Sequence, residues 1–472
     1  MRLTILGVLF VYLGLLIPTL ADPMVNWRDA DVLSVGRNFC RERAPLWLPR
    51  IDARGDQTGI TGMEFPILNF VEGLLACHGL PQTQVARVLT LLVSCLGIAS
   101  LLLLARDLLG VTAAAVATTA FAFSPIVLFY SRTAQPDVPS VALALCSLWL
   151  LSRSLATEST AWGWYLLSAL LMALGALIKL PAIVFGLPAL ALLYERRQWS
   201  AARKLGYWLY LPIATLPPLI WYWHARDLQE RYGARYFFLG DSLHSLWAAW
   251  TRPGFYNRIF VQALFDSYAF PIVSAMAVLA YLLYWRKMPL WIRAMAIASV
   301  IFFFLAGDFA AIHTSYGMVA VPAIALGAGF GVDRFLATRR YRTALLVSLI
   351  GCTCYYGWWR TRRWFAPKDA AVPYLQAATD LNRLTGSGER IAIVSDGDPK
   401  GLWFLDRRGW IVEPADTGNW VQLHPQIAVV GVDNNRLALA QSEQVARSLR
   451  TFGFVERRPR VGFNLWVRPR SN

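Results

Sequence analysis

The sequence predicts a helical, polytopic membrane protein that ends in a small soluble α/β domain, and three observations carry that prediction. Of the 472 residues, 56% are hydrophobic and only 16% are charged, whereas soluble domains average about 45–50% and about 25%. Apolar runs of helical length recur from the N-terminus to about residue 359. Beyond that point the chain turns polar and its apolar runs shorten to the length of strands. The expected organisation is a transmembrane domain over 1–359, containing a first outer loop at 21–83, and a soluble domain over 360–472.

A spanning helix needs about 20 mostly apolar residues. About eleven stretches qualify, at roughly 3–20, 84–105, 111–128, 138–153, 162–178, 181–194, 206–223, 260–285, 289–307, 314–331 and 342–359. Several are short and are expected to be tilted or broken. The first resembles the apolar core of a signal peptide, but only Arg2 precedes it and PTLADP is a poor cleavage site. It is expected to stay as an uncleaved signal-anchor.

The net charge of +16 suggests nucleic acid at first sight. Much of the charge sits in short loops between apolar runs, as in ERRQWSAARK (195–204), YWRK (284–287) and DRFLATRRYR (333–342). The positive-inside rule accounts for that placement, and no nucleic-acid-binding motif accompanies it. With the N-terminus inside, Arg106 and Arg153 join these loops on the cytoplasmic face of a cytoplasmic (inner) membrane. The C-terminus then lies outside, in the periplasm or its equivalent.

The same topology places 21–83, the turn SRTAQPDVPS (131–140), 224–259 and the tail from 360 outside. Within the first loop, VLSVGRNFCRE and FPILNFVEGLLACHGL have helical apolar spacing and are expected to be amphipathic helices at the membrane surface. In the tail, RIAIVSD and IAVVGVD read as buried strands, NNRLALAQSEQVARSLRTFGF as a helix and FNLWVR as a closing strand. Four cysteines (95, 146, 352, 354) fall in apolar runs and pack as small hydrophobes. Cys40 and Cys77 share the first outer loop and can pair if the fold brings them together. No internal repeat, phosphate-binding glycine pattern or metal-ligand spacing is present.

Charged groups near a membrane are costly to desolvate and mark candidate sites. Asp29 and Asp31 follow the first span directly, although capping the next helix explains one of them equally well. Glu64 precedes a Pro-initiated helix, where a negative charge is favourable in its own right. Asp137 sits in a Pro-bounded turn and can cap the fourth span. Lys179 interrupts an apolar hairpin and can snorkel to headgroups, while His224 and Arg226 end the seventh span in WYWHARDL. His313 and Tyr316 begin the tenth span in HTSYGMVAVP, where interfacial tyrosine is common. These groups gain weight together, because one topology puts all of them on the same face.

The succession WRDADVLSVGRNF, GMEFPIL, YSRTAQPDVPS, Lys179, WYWHARDL and HTSYGMVAVP resembles the dolichyl-phosphate-mannose-protein mannosyltransferase-like family of GT-C glycosyltransferases, whose relatives include the lipid A aminoarabinose transferases. The resemblance covers most of residues 1–335. It implies a GT-C-like fold and a membrane glycosyltransferase using a polyprenyl-phosphate-linked sugar, with an acidic residue of the first outer loop at the reaction centre. Asp31 fits that position, six residues before Arg37, with Asp29 a near-equal; Glu64 and Asp137 match two further acidic positions. Lys179 and Arg226 would face the donor phosphate, with His224, His313 and Tyr316 lining the substrate. EFP stands where the aminoarabinose transferases carry a basic residue before Pro-Pro, so their sugar and acceptor do not carry over.

The chemistry needs such groups. A carboxylate can take the proton of an attacking hydroxyl or amine, and fixed cations stabilise charge on the departing phosphate. The resemblance implies inversion, an extracytoplasmic lipid, glycan or protein acceptor, and no obligatory metal, although Glu64 and His224 could hold a divalent ion. The competing readings are a transporter or flippase of lipid-linked sugars and a polysaccharide polymerase or ligase. A transporter is expected to place polar groups near the midplane and to show repeats, neither of which the sequence has.

Overall fold

In lipid a chain can satisfy its backbone polar groups within one segment only as a helix, and the apolar part of this protein is built of helices. The computed structural model describes residues 2–233, 249–336, 340–365, 369–386, 388–457 and 462–469. Positions 234–248 of the expected outer loop and 337–339 of the expected basic loop lie outside the described residues. Contacts divide the rest into two units: residues up to 20 with 87–226 and the described part of 249–365, and residues 21–86 with 227–233 and the described part from 369 onward.

In the first unit, helices Arg2–Leu16, Gln82–Leu109, Asp137–Ser154, Trp162–Ile178, Leu290–Ala306 and Arg342–Thr361 fall on expected apolar stretches. Gln82–Leu109 and the continuous helical stretch Thr314–Phe335 are long and apolar enough to cross a membrane, and several helices of 10–17 residues are also apolar. Breaks occur where the backbone demands them. Val111–Ala122 and Pro125–Tyr130 are separated at Ser124 by Pro125 at a helix start, and Lys179 adopts extended geometry between Trp162–Ile178 and the 3-10 turn Leu180–Phe185. The expected continuous helix at 260–285 is instead a π-helical stretch Asn257–Ala263 and a separate helix Pro271–Tyr284. Pro271 lacks the N–H needed to continue a helix and suits its first turn.

The second unit is organised by a five-stranded sheet. Its strands are β1 (Ile391–Val394), β2 (Gly409–Val412), β3 (Val429–Asp433), β4 (Val455–Arg457) and β5 (Phe463–Val467), in the order β2-β1-β3-β5-β4. β1 runs parallel to β2 and β3, whereas β5 is antiparallel to β3 and β4. Alternation along β1 sends Ile391 and Ile393 to one core with Tyr374, Leu381 and Leu402, and Ala392 and Val394 to the other with Val445, Leu449 and Trp466. β2 and β4 are additions to the expected strands.

The first-loop segment packs in this same unit. Arg54 N and Gly55 N donate to Gly409 O at 2.9 and 2.8 Å, and Gly409 N donates to Asp52 O at 3.1 Å. These bonds cover the edge of β2, which would otherwise offer unpaired backbone groups. The expected boundary, which kept 21–83 with the transmembrane domain, therefore differs from the contact pattern.

Candidate active site

The base of the candidate site is set by two helices that meet at their glycines. Helix Trp27–Glu42 crosses helix Ile67–Cys77 so closely that a Cβ on Gly73 would come within 2.2 Å of Gly36 O. Asn69 Nδ2 donates to Val32 O at 2.7 Å, Gln82 Nε2 donates to Leu33 O at 2.7 Å, and a Cys40–Cys77 disulfide closes the pair. The first helix was expected to lie on a membrane surface. Instead Val32, Leu33, Val35 and Phe39 are buried together with Ser34, Arg37 and Asn38, because protein covers more than its apolar stripe.

Neither Asp29 nor Asp31 caps that helix. Asn26 does so, its side chain accepting from Asp29 N at 2.8 Å. Asp29 is 3% exposed and its carboxylate accepts from Asn26 Nδ2 at 3.2 Å. Asp31 is on a different footing. Its side chain is 17% exposed, with Arg28 Nη1 at 4.0 Å. The Nη2 of that arginine donates to both oxygens of Glu64, at 3.0 and 3.2 Å. Burial pushes the Asp31 carboxyl up to about 7; Arg28 opposes the rise, while the negative charges of Asp398, Asp52 and Glu64 add to it. A carboxylate in that range both exists at neutral pH and accepts a proton effectively. Glu72, 2% exposed and beside Gln82, is also pushed well above the usual carboxylate range by its burial.

In the first unit, Asp137 opens helix Asp137–Ser154 and is buried, with Lys179 Nζ 2.9 Å from its Oδ1. The extended backbone at Lys179 ends helix Trp162–Ile178 just before this contact. The ammonium also lies 5.4 Å from the centre of the Tyr316 ring, in cation–π range, and the Tyr130 hydroxyl reaches Thr314 and Ser315 in the same cluster. His313 stacks on Phe309 and leans toward Tyr316, with ring centres 6.4 and 6.1 Å away. His224 and the exposed Arg226 lie on helix Tyr210–Tyr232, His224 against the edge of Trp221. Of the predicted residues, Asp31 and Glu64 are thus joined through Arg28 in one unit, and Asp137, Lys179 and Tyr316 form a group in the other. Among the described residues no three His, Cys, Asp or Glu side chains are arranged to hold a metal ion.

Sequence reasoning passed over Arg28 and Tyr130. Arg28 stands three positions before Asp31, but the helical spacing read from the sequence begins only at Val32, and it is the helix Trp27–Glu42 that makes the two neighbours. Tyr130 carried no signal, as its partners are far along the chain.

Residues 70–223 match the family described as dolichyl-phosphate-mannose-protein mannosyltransferase. That span includes Asp137 and Lys179; the aspartates of the first loop lie before it. A search of curated protein sequences finds no match. Among solved structures, ArnT from Cupriavidus metallidurans bound to undecaprenyl phosphate is similar over 100% of this chain and 98% of its own, with a TM-score of 0.68 at 14% identity. The archaeal oligosaccharyltransferase AglB from Archaeoglobus fulgidus, in complex with an inhibitory peptide and a dolichol-phosphate, gives 0.61 at 11% identity, covering 99% of this chain and 74% of its own. The arabinofuranosyltransferase AftD from Mycobacteria gives 0.56 at 14% identity, covering 98% and 40%. Residues 70–223 thus match the model of the dolichyl-phosphate-mannose-protein mannosyltransferase family, and along its whole length the chain shares its fold with ArnT and AglB.

Proposed function

We propose that the protein is a membrane glycosyltransferase that moves a sugar from a polyprenyl-phosphate-linked donor to an extracytoplasmic lipid, glycan or protein acceptor, with inversion at the anomeric carbon. The observation that carries this reading is Asp31, a partly buried carboxylate pushed up to about 7 beside Arg28 and Glu64. Supporting it, ArnT is described with undecaprenyl phosphate and AglB with a dolichol-phosphate.

Asp31 acts as the general base. As the acceptor oxygen or nitrogen forms its bond to the anomeric carbon, the carboxylate takes the proton, and the bond from that carbon to the phosphate oxygen breaks with its electron pair going to the phosphate. Lys179 and Arg226 stabilise the polyprenyl phosphate as it leaves. Asp137 acts through Lys179, holding the ammonium in one orientation. Glu64 does the same for Arg28 and keeps that guanidinium from neutralising the base fully. Asp29, His224, His313 and Tyr316 are the remaining site residues, the last three as substrate contacts.

We assign about eleven spans of a cytoplasmic membrane, with the first outer loop and the C-terminal domain outside. The Cys40–Cys77 disulfide favours that side, because disulfides persist in oxidising compartments. The test is transfer from defined polyprenyl-phosphate sugars in detergent or liposomes, comparing the natural protein with Asp31→Asn, Asp29→Asn and Glu64→Gln. Loss of product with Asp31→Asn is expected. Full turnover by that variant, or movement of the lipid-linked sugar across proteoliposomes without any glycosidic product, would overturn the reading.

A further inference from the structure

Arg37 lies on the helix that carries Asp31, about one and a half turns further along, and it is 9% exposed. Burying a guanidinium is costly unless hydrogen bonds compensate, and here its two terminal nitrogens reach out of the helix in two directions. Nη2 donates to Asp52, which is also held by Asn38 Nδ2 at 2.9 Å. Nη1 donates to Asp406 Oδ1 at 2.5 Å and to Trp403 O at 3.1 Å, and the guanidinium lies 4.4 Å from the centre of the Trp403 ring. One turn further along, Arg41 donates to the second oxygen of Asp406 at 2.6 Å. Asp406 follows helix Lys400–Leu405 in the left-handed region, at φ 55°, so its carboxylate is presented by a fixed backbone turn.

We infer that Arg37 is a positioning residue for the Asp31 base: it locks the helix bearing Asp31 to Asp52 on one side and to Trp403 and Asp406 of the C-terminal domain on the other. The C-terminal domain thereby serves the reaction as the frame that fixes the base. This inference rests on the role proposed for Asp31 above. The groups that face Asp31 are Arg28 on its own helix and Glu64, Asp52 and Asp398 from the elements around it. Arg37 spends its guanidinium on Asp52, Asp406 and Trp403 O and makes no contact of its own with Asp31 among the bonds described. Its effect must then pass through placement, and that fixes a sign. Loosening the helix admits water to Asp31 and lowers its pKa, whereas removing a nearby positive charge would raise it.

The experiment is the pH profile of kcat/KM for sugar transfer by the full-length protein with Arg37→Gln and Asp406→Asn. The second variant is the gentler one, because asparagine tolerates the left-handed conformation and Arg37 keeps Asp52. In Asp406→Asn the acid limb is expected to move to lower pH by about half a unit or more; in Arg37→Gln the Asp52 charge that loses its guanidinium opposes that shift, so that variant is read by its kcat. At the pH optimum kcat should fall several-fold while the donor KM is held. An acid limb that stays in place, or moves to higher pH, in a folded Asp406→Asn protein overturns the positioning role. Full activity of Asp31→Asn would instead remove the base assignment, so the two ideas fail separately.

Discussion

Replacing Asp31 by asparagine should abolish transfer and at the same time stabilise the protein above neutral pH. Burial moves the carboxyl from its ordinary 3.8 to about 7. Between those values the folded chain holds a proton that the unfolded chain has released, so folding stability falls as pH rises through this window. Above pH 7 the folded protein carries a carboxylate at a cost of at most about 4 kcal/mol. Asparagine keeps the shape and never ionises. Its gain should be absent near pH 4 and full at pH 8, where each kcal/mol is worth about 2–4 °C in Tm for a unit of this size. The assay is thermal unfolding in detergent at both pH values, run beside the transfer reaction, in which losing a general base costs about 10²–10⁴-fold. An Asp31→Asn protein no more stable than the natural one at pH 8 would show that the carboxylate is not held at a cost.

Glu64→Gln should shift the acid limb of kcat/KM to lower pH by about one unit, because Arg28 is released to pair with Asp31; Arg28→Gln should shift it the other way, and pH profiles of the two variants decide the matter. Lys179→Met leaves the Asp137 carboxylate buried without its ion-pair partner and should cost about 3–5 kcal/mol. Adding Asp137→Asn should restore most of that stability without restoring transfer, read as Tm and product formed. Opening the Cys40–Cys77 bridge with Cys40→Ser and Cys77→Ser should cost about 2–4 kcal/mol and lower transfer, since the bridge joins the Asp31 helix to its neighbour. Protease added to sealed inside-out vesicles should leave the C-terminal domain intact; digestion there would reverse the proposed topology.

Much of the helical framework was legible because its signal is local. Hydropathy over about 20 residues depends on nothing far along the chain, and Trp162–Ile178 coincides with the stretch predicted for it. The break before Pro271 was legible in principle, through the proline. The buried state of helix Trp27–Glu42 was not, since apolar spacing reports one face and says nothing of what covers the other. β2 and β4 escaped for a similar reason. GWIV and VER are too short to show a period, and they become strands by pairing with β1 and β5.

The sequence by itself determined that this is a helical protein made for a lipid bilayer, with a polar α/β tail and a small set of charged side chains worth examining. Tertiary structure decided among those side chains. Asp29 and Asp31 stand two positions apart and read alike in sequence; Asn26 takes up one, while Arg28, Glu64, Asp52 and Asp398 surround the other. Lys179 and Asp137 became an ion pair although 42 positions separate them. A carboxyl's proton affinity is the sum of its desolvation and of every charge near it, and those terms depend on distances that only the folded chain fixes.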